Sequence, residues 1–177
     1  MNKIETMFYE VLVNVLNSSL PRVYTDSDYT EWSYSFKKLE DEENCFSLNI
    51  KNNKVSISRL ITLETNDSNV DIAGYIPDIL ISIDALKAGY AIEIDGYEWH
   101  EKTKEQAIND RKKDRTYLKN GYVPIRFLGS EVYHNALNSV IETIEIIISN
   151  ELSLHGRSDI EYMEYQLWCM ENNLEDK

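Results

Sequence analysis

Between Tyr75 and His100 the chain reads YIPDILISIDALKAGYAIEIDGYEWH, and acids sit inside runs that otherwise have the composition of buried strands. Ile76–Ile83 and Tyr90–Asp95 are short and apolar, and Asp84-Ala85-Leu86-Lys87-Ala88-Gly89 separates them, which predicts a hairpin. An ionised carboxylate in such a run is costly unless it is paired or meets a cation. Glu93 and Asp95 are two apart, so they project from one face of a strand while Tyr90, Ile92 and Ile94 take the other. If Asp84 pairs with Gly89, Asp78 falls directly opposite Asp95, with Glu93 as its diagonal neighbour. Opposite side chains are about 5 Å apart and diagonal ones about 7 Å, a spacing suited to one shared hard cation with oxygen ligands. A slip of one residue would turn Asp78 to the wrong face. The plainer alternative is a set of acids at a sheet edge facing solvent.

The rest of the chain alternates helix and strand signals. Ile4, Phe8, Val11, Leu12, Val15 and Leu16 recur at helical spacing over 3–17, with Pro21 beyond the end. This opening segment carries acids and reads as a helix rather than a signal peptide. Residues 18–44 are polar, with a short strand expected at Trp32–Phe36. Cys45–Ile50 and Lys54–Leu63 read as strands joined at Lys51-Asn52-Asn53, and Glu64–Gly74 as a polar connection. Thr103 and Gln106 have capping-box form for a helix that Gly121 closes; Tyr122–Leu128 is a further strand. Ser130 is expected to cap a helix to about Leu152, and Ser158 with Glu161 to open a last one to about Met170. The order predicts an α/β sandwich around a mixed sheet, with residues 1–152 as one domain and 153–177 as an acidic C-terminal helical extension.

Charge narrows the choice of partners. The chain has 177 residues and a formal net charge of −13, which opposes sequence-independent binding to phosphates. The charge is uneven, however. Residues 102–126 hold eight Lys or Arg against three acids, while 127–177 hold two against ten. The locally cationic stretch is either a solvated helix face or a phosphate contact. The two cysteines, Cys45 and Cys169, make no disulfide framework, so a reducing cytoplasmic setting is expected. No apolar run approaches the roughly 20 residues that span a bilayer.

Taken together, Pro77-Asp78, the strand AIEIDG with Glu93 and Asp95, His100, the segment EQAINDRKKDRTYLKNGYVPIRFLGSEV and an opening IETMFYEVL resemble a known group. The stretch Pro77–Val132 is similar to the PD-(D/E)XK nuclease superfamily, and within it to restriction-endonuclease-like proteins related to very-short-patch-repair endonucleases. The resemblance implies a restriction-endonuclease-like sandwich, a mixed central β-sheet flanked by helices. It also implies Mg²⁺- or Mn²⁺-assisted hydrolysis of phosphodiester bonds, in DNA before RNA, in restriction, defence or mobile-element maintenance. Asp78 and Glu93 would hold the metal, and Glu5 stands where the usual helical acid does. The commonest motif has lysine two residues after the glutamate; here that residue is Asp95. Either Asp95 is a further metal ligand or water-orienting base, with His100, Lys113 or Gln106 supplying the missing function, or the site is silent. A silent domain would serve as an acidic protein-binding module or DNA mimic.

Three further expectations complete the reading. Gln106, Asp110, Lys113 and Tyr117 form one helical stripe that is expected to face the acidic sheet edge. Arg111, Lys112, Arg115 and Arg126 are candidate phosphate contacts, although Arg126 equally suits a pair with Glu131. Trp99 and Tyr97 are candidate stacking platforms, and the acidic tail is a candidate homodimer or partner contact.

Overall fold

The computed structural model describes residues 1–18, 20–40, 42, 44–83, 88–96 and 104–171, with 88 and 157–171 given by backbone alone. The chain divides into two units, Met1–Thr143 and Ile144–Lys177. The first is a mixed α/β unit. Helix α1 (Lys3–Asn17) starts at Asn2, whose side chain accepts the N–H groups of Ile4 and Glu5 at 2.9 and 3.0 Å, while Glu5 accepts the Asn2 N–H at 2.8 Å. This reciprocal cap satisfies otherwise orphaned donors. Phe8, Leu12, Val15 and Leu16 are buried, as their spacing predicted.

Seven strands follow the order of the sequence across one sheet: β1 (Arg22–Thr25), β2 (Glu31–Lys38), β3 (Cys45–Lys51), β4 (Ser56–Thr65), β5 (Ile79–Ile83), β6 (Ala88–Asp95) and β7 (Tyr122–Leu128). All neighbours are antiparallel except β6 and β7, which are parallel and joined through helix α2 (Lys104–Lys119). A parallel pair requires such a crossover. Asn52 makes the predicted turn between β3 and β4, its side chain accepting the N–H groups of Lys54 and Val55, each at 2.8 Å. Gly121 closes α2 with a left-handed φ of 84°, a conformation that favours glycine.

The register sets which side chains share a face. Leu80 pairs with Ala91, and both join Ile72 and Tyr117 in a buried cluster against which Tyr122 packs. Gly89 makes room for that ring, since a Cβ there would lie 2.7 Å from Tyr122 Cδ1. On the opposite face Ile94 pairs with Phe127, whose ring lies 5.7 Å from that of Phe8. Helices α1 and α2 therefore cover opposite faces of the sheet.

Four expectations are corrected. The hairpin is shifted by two residues: Gly89 pairs with Ser82, not Asp84, and Ile79 with Ile92, which brings Asp78 level with Glu93 instead of Asp95. An even shift preserves the faces, so Asp78 still shares a side with both acids. Strand β1 lies inside the stretch 18–44 that reads as polar and irregular apart from Trp32–Phe36. It has no hydrophobic run because it is an edge strand with alternating exposure. Helix α3 (Gly129–Glu171) runs through Ser158, although that residue has the form of a helix start. Its interruption lies instead at Asn135, where φ is −157° and the side chain accepts the Asn138 N–H at 3.1 Å. Lastly, Glu131 accepts the Leu128 N–H at 2.7 Å and is not the partner of Arg126.

Candidate functional site

The beginning of β5 and the end of β6 open onto a cleft of about 260 Å³ lined by Asp78, Glu93, Ile94, Asp95, Gly96, Gln106 and Asp110. Asp78 precedes β5 and is held from the neighbouring strand, its Oδ2 accepting the Ile94 N–H at 2.7 Å. Glu93 projects from β6 into the gap between sheet and α2 and is buried. Both its oxygens are engaged: Oε2 lies 2.7 Å from Lys113 Nζ, and Oε1 accepts the Tyr117 hydroxyl at 2.8 Å.

The α2 stripe explains these contacts. Gln106, Asp110, Lys113 and Tyr117 recur at helical spacing, so they share a face. Gln106 and Asp110 line the cleft, while Lys113 and Tyr117 reach Glu93. The Lys113 ammonium thus arrives from a helix at Glu93, two residues before Asp95. Burial and the neighbouring Glu93 charge raise the Tyr117 hydroxyl above its ordinary value, so it stays a donor.

Asp95 has a different environment. Arg126 Nη1 lies 2.8 Å from Asp95 Oδ1, Nη2 lies 2.8 Å from Asp114 Oδ1, and Nη1 is 3.8 Å from Asp110. Burial opposes the charge on Arg126, but its bond to Asp114 and the charge of Asp95 outweigh this and keep the guanidinium above its ordinary value. Three acids already claim this arginine.

Glu5 lies close enough to Asp78 for its charge to raise the Asp78 carboxyl. It is buried, and Asn66 links the two acids: Nδ2 donates to Glu5 Oε2 at 3.2 Å, and the backbone N–H donates to the Asp78 carbonyl at 3.1 Å. Asn66 was missed in the sequence, where it sits in a polar connection with no motif around it. Asp114 was missed too, since it reads as one more charge on a charged helix. Arg111, Lys112 and Arg115 are exposed on α2. His100, Trp99, Tyr97 and the Thr103 cap lie outside the described residues.

Among the described residues no three acids, histidines or cysteines converge into a metal-holding group, so Asp78 and Glu93 stand as a pair. That pair suits a hard cation on chemical grounds. Burial, first, and the charges of Glu93 and Glu5 push the Asp78 carboxyl up to about 6, against 3.8 for an ordinary aspartate, although the Ile94 N–H and Lys113 pull the other way. A cation that keeps most of its waters and takes one or two carboxylates would relieve this repulsion.

The sign of the Asp78 effect yields a prediction. The folded state binds this proton more tightly than the unfolded one, so stability falls as pH rises from about 4 to about 6. Ionised Asp78 costs the fold about 3 kcal/mol at neutral pH. Asp78→Asn keeps an acceptor for Ile94, so it is expected to be up to about 3 kcal/mol more stable than the parent at pH 7.5. The difference should vanish below pH 4 in urea unfolding, where both side chains are neutral.

No protein-family profile, curated protein or solved structure matches the chain. Among the described residues no helix is long and apolar enough to cross a membrane.

Proposed function

We propose that the chain is a Mg²⁺- or Mn²⁺-dependent endonuclease of the PD-(D/E)XK type that hydrolyses phosphodiester bonds in DNA. The observation that carries this reading is Lys113 Nζ at 2.7 Å from Glu93. It supplies a cation at the site although the residue two after Glu93 is Asp95. A mixed sheet with α1 on one face, α2 on the other and a carboxylate pair at the end of β6 also agrees with a restriction-endonuclease-like sandwich.

A divalent ion held by Asp78 and Glu93 would polarise the phosphate and lower the pKa of a bound water. The chain's own groups do the rest. The Ile94 N–H holds Asp78, and Tyr117 holds Glu93 in one rotamer. Lys113 Nζ, which also donates to the Ile76 carbonyl at 3.4 Å, offers its third proton to a non-bridging phosphate oxygen and balances the charge that develops there. Gln106 and Asp110 form the opposite wall.

The surface charge of α2 fits the same reading. Asp110 and Asp114 face Arg126, and Lys113 faces Glu93, which leaves exposed Arg111, Lys112 and Arg115 little opposed on the outer side. Replacing these three with glutamine is expected to weaken DNA binding at low salt. The slope of log affinity against log salt should become shallower by about two to three, near 0.9 for each phosphate no longer neutralised.

The net charge of −13 favours a second reading, a silent nuclease fold acting as an acidic partner surface or DNA mimic. Incubation with supercoiled plasmid, single-stranded DNA and RNA under Mg²⁺ or Mn²⁺ separates the two. Under the nuclease reading the parent cuts DNA, and Asp78→Ala and Glu93→Ala fall to background. Cleavage that persists in both variants removes the assigned site, and a parent inert with either metal leaves the second reading.

A further inference from the structure

We propose that Asp95 is a positioning residue and not a metal ligand: through Arg126 and Asp114 it seats α2 so that Lys113 meets Glu93. The catalytic consequence rests on the nuclease reading above; the seating itself does not.

Three observations lead there. First, the register puts Asp78 level with Glu93. Asp95 lies two residues further along β6, about 7 Å at the usual strand rise. A cation shared by Asp78 and Glu93 is therefore displaced from Asp95. Second, Asp95 Oδ1 is 2.8 Å from Arg126 Nη1. A divalent ion at that carboxylate would sit against a guanidinium whose charge Asp114 and Asp95 reinforce.

Third, among the described residues α2 has little apolar burial to seat it. Tyr117 is its one buried residue, and Ile108 and Leu118 are exposed. A helix without an apolar stripe cannot fix its rotation by burial. One buried ring gives a single point of attachment. The second point is Asp114, held at 2.8 Å by Arg126, which Asp95 holds from β6 at the same distance. Asp114 is next to Lys113 in sequence, so a shift at Asp114 moves the Lys113 ammonium directly. Asp95, Arg126 and Asp114 thus link β6, β7 and α2, and Lys113 returns from α2 to β6 at Glu93.

The test compares the parent with Asp95→Asn, Asp95→Glu and Asp78→Asn under native conditions. Brief acetylation with peptide mapping reads the reactivity of Lys113 against its exposed neighbour Lys112. In Asp95→Asn the Lys113-to-Lys112 ratio is expected to rise about threefold or more as the amine leaves Glu93, while Asp95→Glu, which keeps the charge, stays closer to the parent. Titration with Mn²⁺ alone should give Asp95→Asn an affinity within about twofold of the parent, whereas Asp78→Asn, which loses a ligand, should weaken it about tenfold or more. Turnover on plasmid should fall in Asp95→Asn with KM unchanged, because DNA contacts on the outer face of α2 persist.

An Asp95→Asn variant that loses Mn²⁺ as Asp78→Asn does would make Asp95 a ligand and overturn the proposal. An unchanged labelling ratio would overturn it as well. If the parent neither binds Mn²⁺ nor cuts DNA, the nuclease reading falls, and the labelling ratio alone decides whether Asp95 seats the helix.

Discussion

Under the proposed nuclease reading, Lys113→Met is expected to lower the metal-dependent cleavage rate by about 10²- to 10³-fold, the usual loss when one preorganised group facing transition-state charge is removed. Methionine keeps much of the stem volume but leaves buried Glu93 with the Tyr117 hydroxyl in place of a cation, so a loss of stability of up to about 3 kcal/mol is expected as well, and rates are compared on folded protein. The Lys113 side chain is 21% exposed, and its ammonium sits 2.7 Å from the carboxylate of Glu93, whose side chain is 7% exposed, so little water screens the pair. In the proposed mechanism the ammonium's contribution is to charge that develops during reaction. The loss should therefore appear in kcat more than in KM. Lys113→Arg should recover part of the rate, because the charge remains but the planar fork does not reproduce the ammonium position. Stopped cleavage assays across substrate concentration give both constants. A Lys113→Met enzyme with parental kcat would show that the lysine is only the counter-ion of Glu93.

Arg126→Met is expected to destabilise the fold by about 3 kcal/mol, the lower end for breaking a buried ionic network by removing one partner. The arginine is 22% exposed, and Asp95 and Asp114 are 15% and 31% exposed, so water offsets part of the penalty. What remains is repulsion between Asp95, Asp110 and Asp114 with no cation among them. Adding Asp95→Asn and Asp114→Asn to Arg126→Met should recover most of the loss, since neutral side chains remove that repulsion. Urea unfolding of the single and combined variants measures the coupling. Additive losses would mean that Arg126 stabilises by packing its stem and not by gathering these acids.

The legible parts of the site share one property: their contacts are local or periodic. Glu93 and Asp95 share a face because strand side chains alternate, and the structure keeps that face. The stripe Gln106, Asp110, Lys113 and Tyr117 follows from helical spacing, and it does point at the acids. Lys113 was legible as one of three substitutes for the motif lysine; His100, another of them, lies outside the described residues. The register of β5 against β6 was less legible. Its parity follows from Asp78 and Ser82 falling on one face and Ile79, Ile81 and Ile83 on the other, whereas the length of the connecting turn is not encoded. The predicted pairing was consequently two residues out, with every face correct. Strand β1 left no signal because an edge strand needs no continuous apolar run. The continuity of α3 past Ser158 was hidden because a capping box is equally compatible with a helix interior.

By itself the sequence determined the α/β order, the closing glycine Gly121, the shared face of the acids and the stripe on α2. These depend on backbone geometry with fixed periods, which a linear string carries in full. Only the tertiary structure decided that Asp78 stands level with Glu93, that Glu93 takes both Lys113 and Tyr117, and that Asp95 belongs to Arg126. Those choices turn on which side chains meet across 15 to 31 residues of chain. Acids of equal intrinsic chemistry are told apart there by register and burial alone. Asp95 stands where the resemblance leads one to expect a lysine, and in the fold it meets an arginine on the next strand.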